Sequence, residues 1–293
     1  MTSNLERYRS QISEDFPDIK IHDIAVIGSG WHHDAVEVNG SIVFRIPRGI
    51  HDTDSDTETE IAILKLLKGK LAVQTPDPLY VQRDNDYFGY PKVAGRLLDE
   101  IVGTFNDTDW GHLKADWVKL ASSIHTAITV EQARELGVNN FIQSGPQWAE
   151  RIFEIKGVDK SILNFARKVL KQYENLAVDS IPTVFIHNDL QFHNILADPR
   201  TKRISGLIDW TDACIGPVTR EFAIGEWWTK PGLLEEVAKL YEEQTGVDVQ
   251  VSHIKMWRNL EEIGDFVENT KLGQAAQARA TLERIRQLMK SED

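Results

Sequence analysis

The sequence predicts an α+β chain of two lobes: a small β-rich N-terminal lobe with one main helix, and a larger, mostly helical C-terminal lobe. Before about residue 95, segments such as "IHDIAVIG" and "DAVEVNGSIVFRIPRG" alternate apolar and polar side chains with a period of two, around a hairpin signal at Asn39-Gly40. Beyond Gly95 the apolar period becomes helical. At 293 residues the chain is too long for one compact core and suits two unequal parts. The expected boundary is therefore 1–94 and 95–293. No Gly/Ser linker, low-complexity run or internal repeat separates the parts, so lobes in close contact with a cleft between them are expected.

Taken in order, residues 3–14 read as a short amphipathic helix. "IHDIAVIG" and "DAVEVNGSIVFRIPRG" follow as strands. In "SDTETEIAILKLLKGKL", Ile61, Leu64, Leu67 and Lys68 fall at helical spacing behind an Asp/Ser/Thr-rich start suited to an N-cap. "PDPLYVQRDNDYFGYPKVAG" reads as two strands joined by a turn at Asp84–Asp86. Helices are then expected over "DWGHLKADWVKLASSIHTAI", "GPQWAERIFEIKG" and "KSILNFARKVLKQYENL". Two short apolar strands, "TVFIH" and "ISGLID", flank a polar loop, and the chain from about residue 220 is helical again.

Composition excludes several functions. A net charge of −12 repels phosphate backbones and argues against a nucleic-acid partner, while favouring cationic ligands if some acids gather at one place. No apolar run approaches the roughly 20 residues of a membrane-spanning helix. The charged, amphipathic N-terminus lacks the form of a secretory signal. The one cysteine, Cys214, rules out an internal disulfide and fits a reducing cytoplasm. A cytoplasmic monomer is expected.

The chemistry concentrates in "VFIHNDLQFHNILAD", residues 184–198. There His187, Asp189 and Asn194 have the spacing H-x-D-x-x-x-x-N, and Asp209 follows in "GLIDW". A polar loop held between apolar strands suits phosphoryl transfer. One carboxylate, Asp189, accepts the proton of an attacking hydroxyl, while an amide oxygen (Asn194) and a second carboxylate (Asp209) hold Mg²⁺ on nucleotide phosphates. A phosphate cradle is offered by Gly28-Ser29-Gly30 in "VIGSGWHHDAVEV", where glycine permits close approach of backbone N–H groups. Arg45 in "VFRIPR" and Glu60 on the following helix supply a strand cation paired with a helix carboxylate.

The order of these features resembles the aminoglycoside phosphotransferase superfamily, over essentially the whole chain. The block "IHNDLQFHNILAD…ISGLIDWTDACIG" and the connection "GYPKVAG" are most similar to kinases of the aminoglycoside 2''-hydroxyl. "FRIPR" and "IDWTDA" also resemble motifs of macrolide phosphotransferases. The resemblance implies a two-lobed, protein-kinase-like fold and ATP or GTP with Mg²⁺ as cofactors. It makes Asp189 the catalytic base, Asn194 and Asp209 the metal ligands, and Arg45 the phosphate cation braced by Glu60. His187 supports the loop, and the backbone of Pro91, Lys92 and Val93 meets the purine edge. The chain departs from the family's "GDP…D" run, reading "IGPVTREFA", with Pro217 and Glu221 where acids are usual; this bears on the substrate side more than on catalysis.

Candidate substrate groups are Glu221, Glu226, Trp227, Trp228 and the acidic stripe Glu261, Asp265 and Glu268, which share one helical face. Leu260, Ile263 and Val267 mark a separate, apolar face. His32, His33 and Asp34 are adjacent in sequence and cannot all face one metal ion. The expected activity is phosphate transfer to a hydroxyl of a small antibiotic, an aminoglycoside first, with a macrolide or another small metabolite as alternatives. A catalytically silent nucleotide-binding protein is the alternative of another class. A protein kinase is disfavoured by the absence of D-F-G and A-P-E segments.

Overall fold

The structure is a computed structural model and describes residues 2–30, 33–48, 57–141, 146–176, 181–223 and 232–291. From the N-terminus come α1 (Thr2–Asp15), β1 (Ile24–Ser29), β2 (His33–Val38), β3 (Ile42–Pro47), α2 (Thr57–Leu67), β4 (Tyr80–Val81), β5 (Phe88–Pro91) and β6 (Arg96–Leu97). Next are α3 (Leu98–Ile101), α4 (Asp107–Ala127), α5 (Val130–Glu135), α6 (Gln147–Glu150) and α7 (Lys160–Asn175). Then follow β7 (Thr183–Ile186), β8 (Ile195–Ala197), β9 (Ile204–Leu207), β10 (Cys214–Pro217) and α8 (Val218–Glu221). The last helices are α9 (Leu233–Thr245), α10 (Val251–Lys271) and α11 (Ala275–Ser291). None of the described helices is long and apolar enough to cross a membrane.

By contact density the chain forms two compact units, Met1–Val138 with Gln191–Ala213, and Asn139–Leu190 with Cys214–Asp293. In the first, an antiparallel sheet runs β1-β2-β3-β5-β4. Asn39 and Gly40 both take positive φ between β2 and β3, and the Asn39 carboxamide accepts from the N–H groups of His22 and Asp23. The turn residues thus fix both the hairpin and the approach of the preceding strand. Tyr8 and Ile12 of α1 pack on Val36, Val38, Phe44 and Ile46 of the sheet. Gly89 is needed opposite Phe44, because a Cβ there would stand 2.5 Å from the ring. α2 turns Glu60, Ile61, Leu64 and Leu67 inward and leaves Glu58 and Lys65 exposed.

A second, three-stranded sheet, β6-β8-β9, belongs to the same unit. Its β8–β9 turn is fastened to α4 by Lys202 on Asp109 (2.6 Å) and by Arg203 on Asp116. These contacts keep residues 191–213 with the first unit, so the contact boundary differs from the change of residue pattern near 95. The strands β8 and β9 are only three and four residues long. β8 and β10 escape the sequence reading because such runs are too short to show a period.

In the second unit β7 and β10 form an antiparallel ribbon, with Cys214 opposite Ile186. α10 is the central helix, burying Ile254, Trp257, Leu260, Ile263 and Val267 against α6, α7, α8 and α11. The helix expected over 145–157 is shorter than its pattern. It begins after Pro146, changes to a 3₁₀ turn at Arg151–Glu154 and stops before Gly157, whose φ is +83°. Likewise the strand expected through Asp209 ends at Leu207, and Asp209 takes φ +63°. Its side chain is therefore presented from a left-handed turn rather than from the strand.

Candidate active site

Arg45 lies in the middle of β3 and is 8% exposed. Its Nε pairs with Glu60 Oε1 at 3.4 Å, and its Nη2 donates to Asp209 Oδ1 at 2.9 Å and to Thr211 Oγ1 at 2.6 Å. Trp210 N donates to Glu60 Oε1, and the Thr211 hydroxyl lies 3.1 Å from Asp209 Oδ1. One guanidinium thus joins the helix carboxylate to the carboxylate expected to hold metal. Burial raises the Glu60 carboxyl, opposed by Arg45, while the two carboxylates keep Arg45 firmly charged. Thr211 was not anticipated. The signal for it was Arg itself, whose fork carries more donors than one Glu satisfies.

Asn194 immediately precedes β8, is 4% exposed, and its backbone carbonyl accepts from Ile208 N, which brings Asn194 and Asp209 beside the ends of paired strands. Together they offer an amide oxygen and a carboxylate. Such hard oxygen donors suit Mg²⁺, which takes only one or two protein ligands beside water and phosphate oxygens. The residues present therefore fit the ion. His193, between Phe192 and Asn194, points outward.

The Gly28-Ser29-Gly30 segment closes β1. Gly30 N donates to His33 O, and Gly30 O accepts from Arg48 Nη1. Neither glycine has positive φ, and a Cβ on either would meet ordinary contacts at 3.6–3.7 Å. The fold itself does not require glycine at either position. Trp31 and His32 lie outside the described residues. His33 is near Arg45, with Nδ1 3.3 Å from Nη2, and Asp34 accepts from Tyr8, so both are held inside the sheet. Among the described residues no group of three or more His, Cys, Asp and Glu is arranged to hold a metal ion. In the segment Pro91 to Val93, Lys92 spends its N–H on Ser41 O, and Pro91 has none.

The second unit holds the loop. His187 is fully buried; its N–H and that of Asn188 donate to the two oxygens of Glu221 at 2.8 and 3.3 Å. Asp189 N donates to His187 Nδ1 at 3.3 Å, which fixes His187 as a support for the half-buried Asp189. Glu221 is 1% exposed with both oxygens engaged by the loop. It is a loop brace, and its assignment to the substrate gives way to that role. Arg220, its neighbour, is 3% exposed and was missed by the sequence reading.

Of the acidic stripe, Glu261 contacts Arg220 Nη1 at 2.5 Å, Asp265 stands 3.9 Å from Arg284, and Glu268 is exposed. The Asp265 side chain is 57% exposed; partial burial, together with the negative charge of Glu261, Glu262 and Asp189, raises its carboxyl. Arg284 opposes them, and the Asp265 carboxyl is pushed up to about 7. Asp189 and Asp265 therefore belong to one electrostatic neighbourhood. Glu226, Trp227 and Trp228 lie outside the described residues.

The sequence matches the model of the phosphotransferase enzyme family over residues 23–251. Among solved structures, an aminoglycoside 2'-phosphotransferase-IIIa with GDP is 22% identical with a TM-score of 0.85, over 99% of this chain and 100% of that one. A complex of APH(2'')-IIIa with GDP and kanamycin is 20% identical with a TM-score of 0.85, over 98% and 99%. A macrolide 2'-phosphotransferase type I is 19% identical with a TM-score of 0.74, over 94% and 96%. The architecture is thus the kinase-like fold of these enzymes.

Proposed function

The chain belongs to the phosphotransferase enzyme family, and from that premise we propose that it transfers the γ-phosphate of ATP or GTP to a hydroxyl of a small cationic antibiotic, an aminoglycoside first. The observation that carries the proposal is Arg45, buried and bonded at once to Glu60 and Asp209. A cation held in that way, on the strand beside a glycine segment, is suited to phosphate oxygens. The lobes in this proposal are residues 1–94 for nucleotide and 95–293 for catalysis and acceptor, in a cytoplasmic monomer.

The chain's own residues divide the work. Arg45 meets the phosphates, and the Gly28–Gly30 backbone approaches them. The Val93 N–H serves the purine edge, since Pro91 and Lys92 have none to give. Asp189 takes the proton as the acceptor oxygen bonds to the γ-phosphorus, while the bond from that phosphorus to the β-γ bridging oxygen breaks and nucleoside diphosphate leaves. Asn194 and Asp209 would hold Mg²⁺, which when bound neutralises phosphate charge. On the acceptor side, Asp265 and Glu268 offer negative charge to ammonium groups. A macrolide acceptor is the second reading, favoured by the likeness of "FRIPR" and "IDWTDA" to macrolide kinases.

The test is a panel of aminoglycosides and macrolides with ATP and GTP in parallel, at about pH 6 and about pH 8. Asp265 is mostly protonated below about 7 and ionised above it. KM for an aminoglycoside is therefore expected to fall as pH rises, and Asp265→Asn to weaken that dependence, with the acceptor's own titration common to both enzymes. Transfer to macrolides alone would exclude the aminoglycoside reading. Absence of both transfer and nucleotide hydrolysis would leave a silent nucleotide-binding protein. The same carboxyl affects stability in the opposite sense. Between the ordinary carboxylate range and about 7 the folded chain holds a proton that the unfolded chain has lost, so its contribution to stability declines as pH rises through that window.

A further inference from the structure

The residue that precedes Asp189 is held in an unusual way. Asn188 has φ +65°, a left-handed conformation open mainly to Gly, Asn and Asp. Its backbone N–H is taken by Glu221, as is that of His187. Its side-chain oxygen accepts from Arg220 Nε at 2.7 Å. Two consecutive residues of α8 therefore clamp two consecutive residues of the loop, one on the backbone and one on the side chain.

Arg220 is itself immobilised. Its guanidinium carbon lies 3.6 Å from the centroid of the Phe141 ring, 5.6 Å from Trp148 and 5.8 Å from Trp257. Nη1 stands 2.5 Å from Glu261 Oε1, an ionic contact rather than an aligned hydrogen bond. All of α8 is buried, and Thr219 Oγ1 accepts from Trp257 Nε1 at 3.0 Å. An Arg so enclosed has lost its rotamer freedom before it meets Asn188, so its Nε defines one position for the Asn188 oxygen.

We infer that Arg220 is a positioning residue for the transfer step: by holding the Asn188 side chain it keeps Asn188 left-handed and so aims the Asp189 carboxylate. The inference rests on the reading of Asp189 as the base. It also gives Glu261 a part in holding Arg220. Without the Arg220 bond, Asn188 is released toward negative φ, where most non-glycine residues are at rest, and the peptide leading to Asp189 turns with it.

The test is a double-mutant cycle on turnover. Arg220→Lys keeps a cation near the rings and Glu261 but has no donor at the Nε position. Asn188→Gly keeps the left-handed backbone without strain and removes the side chain that Arg220 holds. In the otherwise wild-type enzyme, Arg220→Lys is expected to lower kcat by roughly 10²-fold with the nucleotide dissociation constant unchanged. In the Asn188→Gly background the same substitution should lower kcat by less than about twofold, since the bond is already gone. An equal loss in both backgrounds overturns the inference, and so does a Tm decrease with kcat unchanged. Asp189→Ala is measured alongside. If that variant stays active, the reading of Asp189 fails; if it is inactive and the cycle shows no coupling, only the role of Arg220 fails.

Discussion

Replacing Asp189 with alanine is expected to lower kcat by about 10³-fold or more while leaving nucleotide affinity within about twofold of wild type. The separation follows from the structure of each unit. Asp189 is supported by His187 and Glu221 in the second unit, whereas Arg45, Glu60 and Asp209 form a bonded group in the first. The bonds that tie Arg45 to Glu60, Asp209 and Thr211 do not use the Asp189 carboxylate. His187 and Glu221 retain their own hydrogen bond, so the loop keeps its brace. Steady-state turnover with a direct measurement of nucleotide binding checks the result. Retention of most of the wild-type rate would end the assignment of Asp189 as base.

Arg45→Met is expected to be damaging in two ways. It removes the cation proposed for the phosphates, and it leaves Glu60, 3% exposed, without its ionic partner. Breaking a buried ion pair from one side typically costs about 3–5 kcal/mol. Protonation offsets part of that loss here, because burial already raises the Glu60 carboxyl. The offset is greatest at low pH, so the variant should recover stability relative to wild type as pH falls toward the carboxylate range. Arg45→Lys keeps the charge but cannot reach Glu60, Asp209 and Thr211 with one planar fork. Its expected phenotype is intermediate, with folding largely retained and turnover reduced. Chemical denaturation at two pH values, with nucleotide binding, distinguishes these outcomes. Equal stability of Arg45→Met and wild type across pH would show that the ion pair contributes nothing.

What the sequence disclosed was set by the range of the interactions. His187, Asp189 and Asn194 stand at short fixed spacing on one loop, so their pattern survives in the linear order. The Asn39-Gly40 hairpin was legible for the same reason, because its backbone geometry is demanded by two adjacent residues. Arg45 with Glu60 was readable as a strand cation followed by a helix acid. Thr211 and Arg220 were not. Arg45 reaches Thr211 across 166 positions and Arg220 reaches Asn188 across 32, and no local period records such partnerships. The acidic stripe shows the complementary failure. Helical spacing placed Glu261 and Asp265 on one face correctly, yet periodicity cannot tell that Arg220 meets one of them and Arg284 the other.

The ribbon that carries the loop contains the chain's one thiol. Cys214 is 3% exposed and opposite Ile186, the residue before His187. A thiol reagent reaches so buried a side chain only when the structure around β10 opens, so the labelling rate clocks opening beside the strand that leads into the His187–Asp189 loop. Acceptor or nucleotide that steadies the loop should slow that clock, and Glu221→Gln, which loosens the brace, should hasten it. With no second cysteine to confuse the signal, the native enzyme carries its own stopwatch for loop breathing.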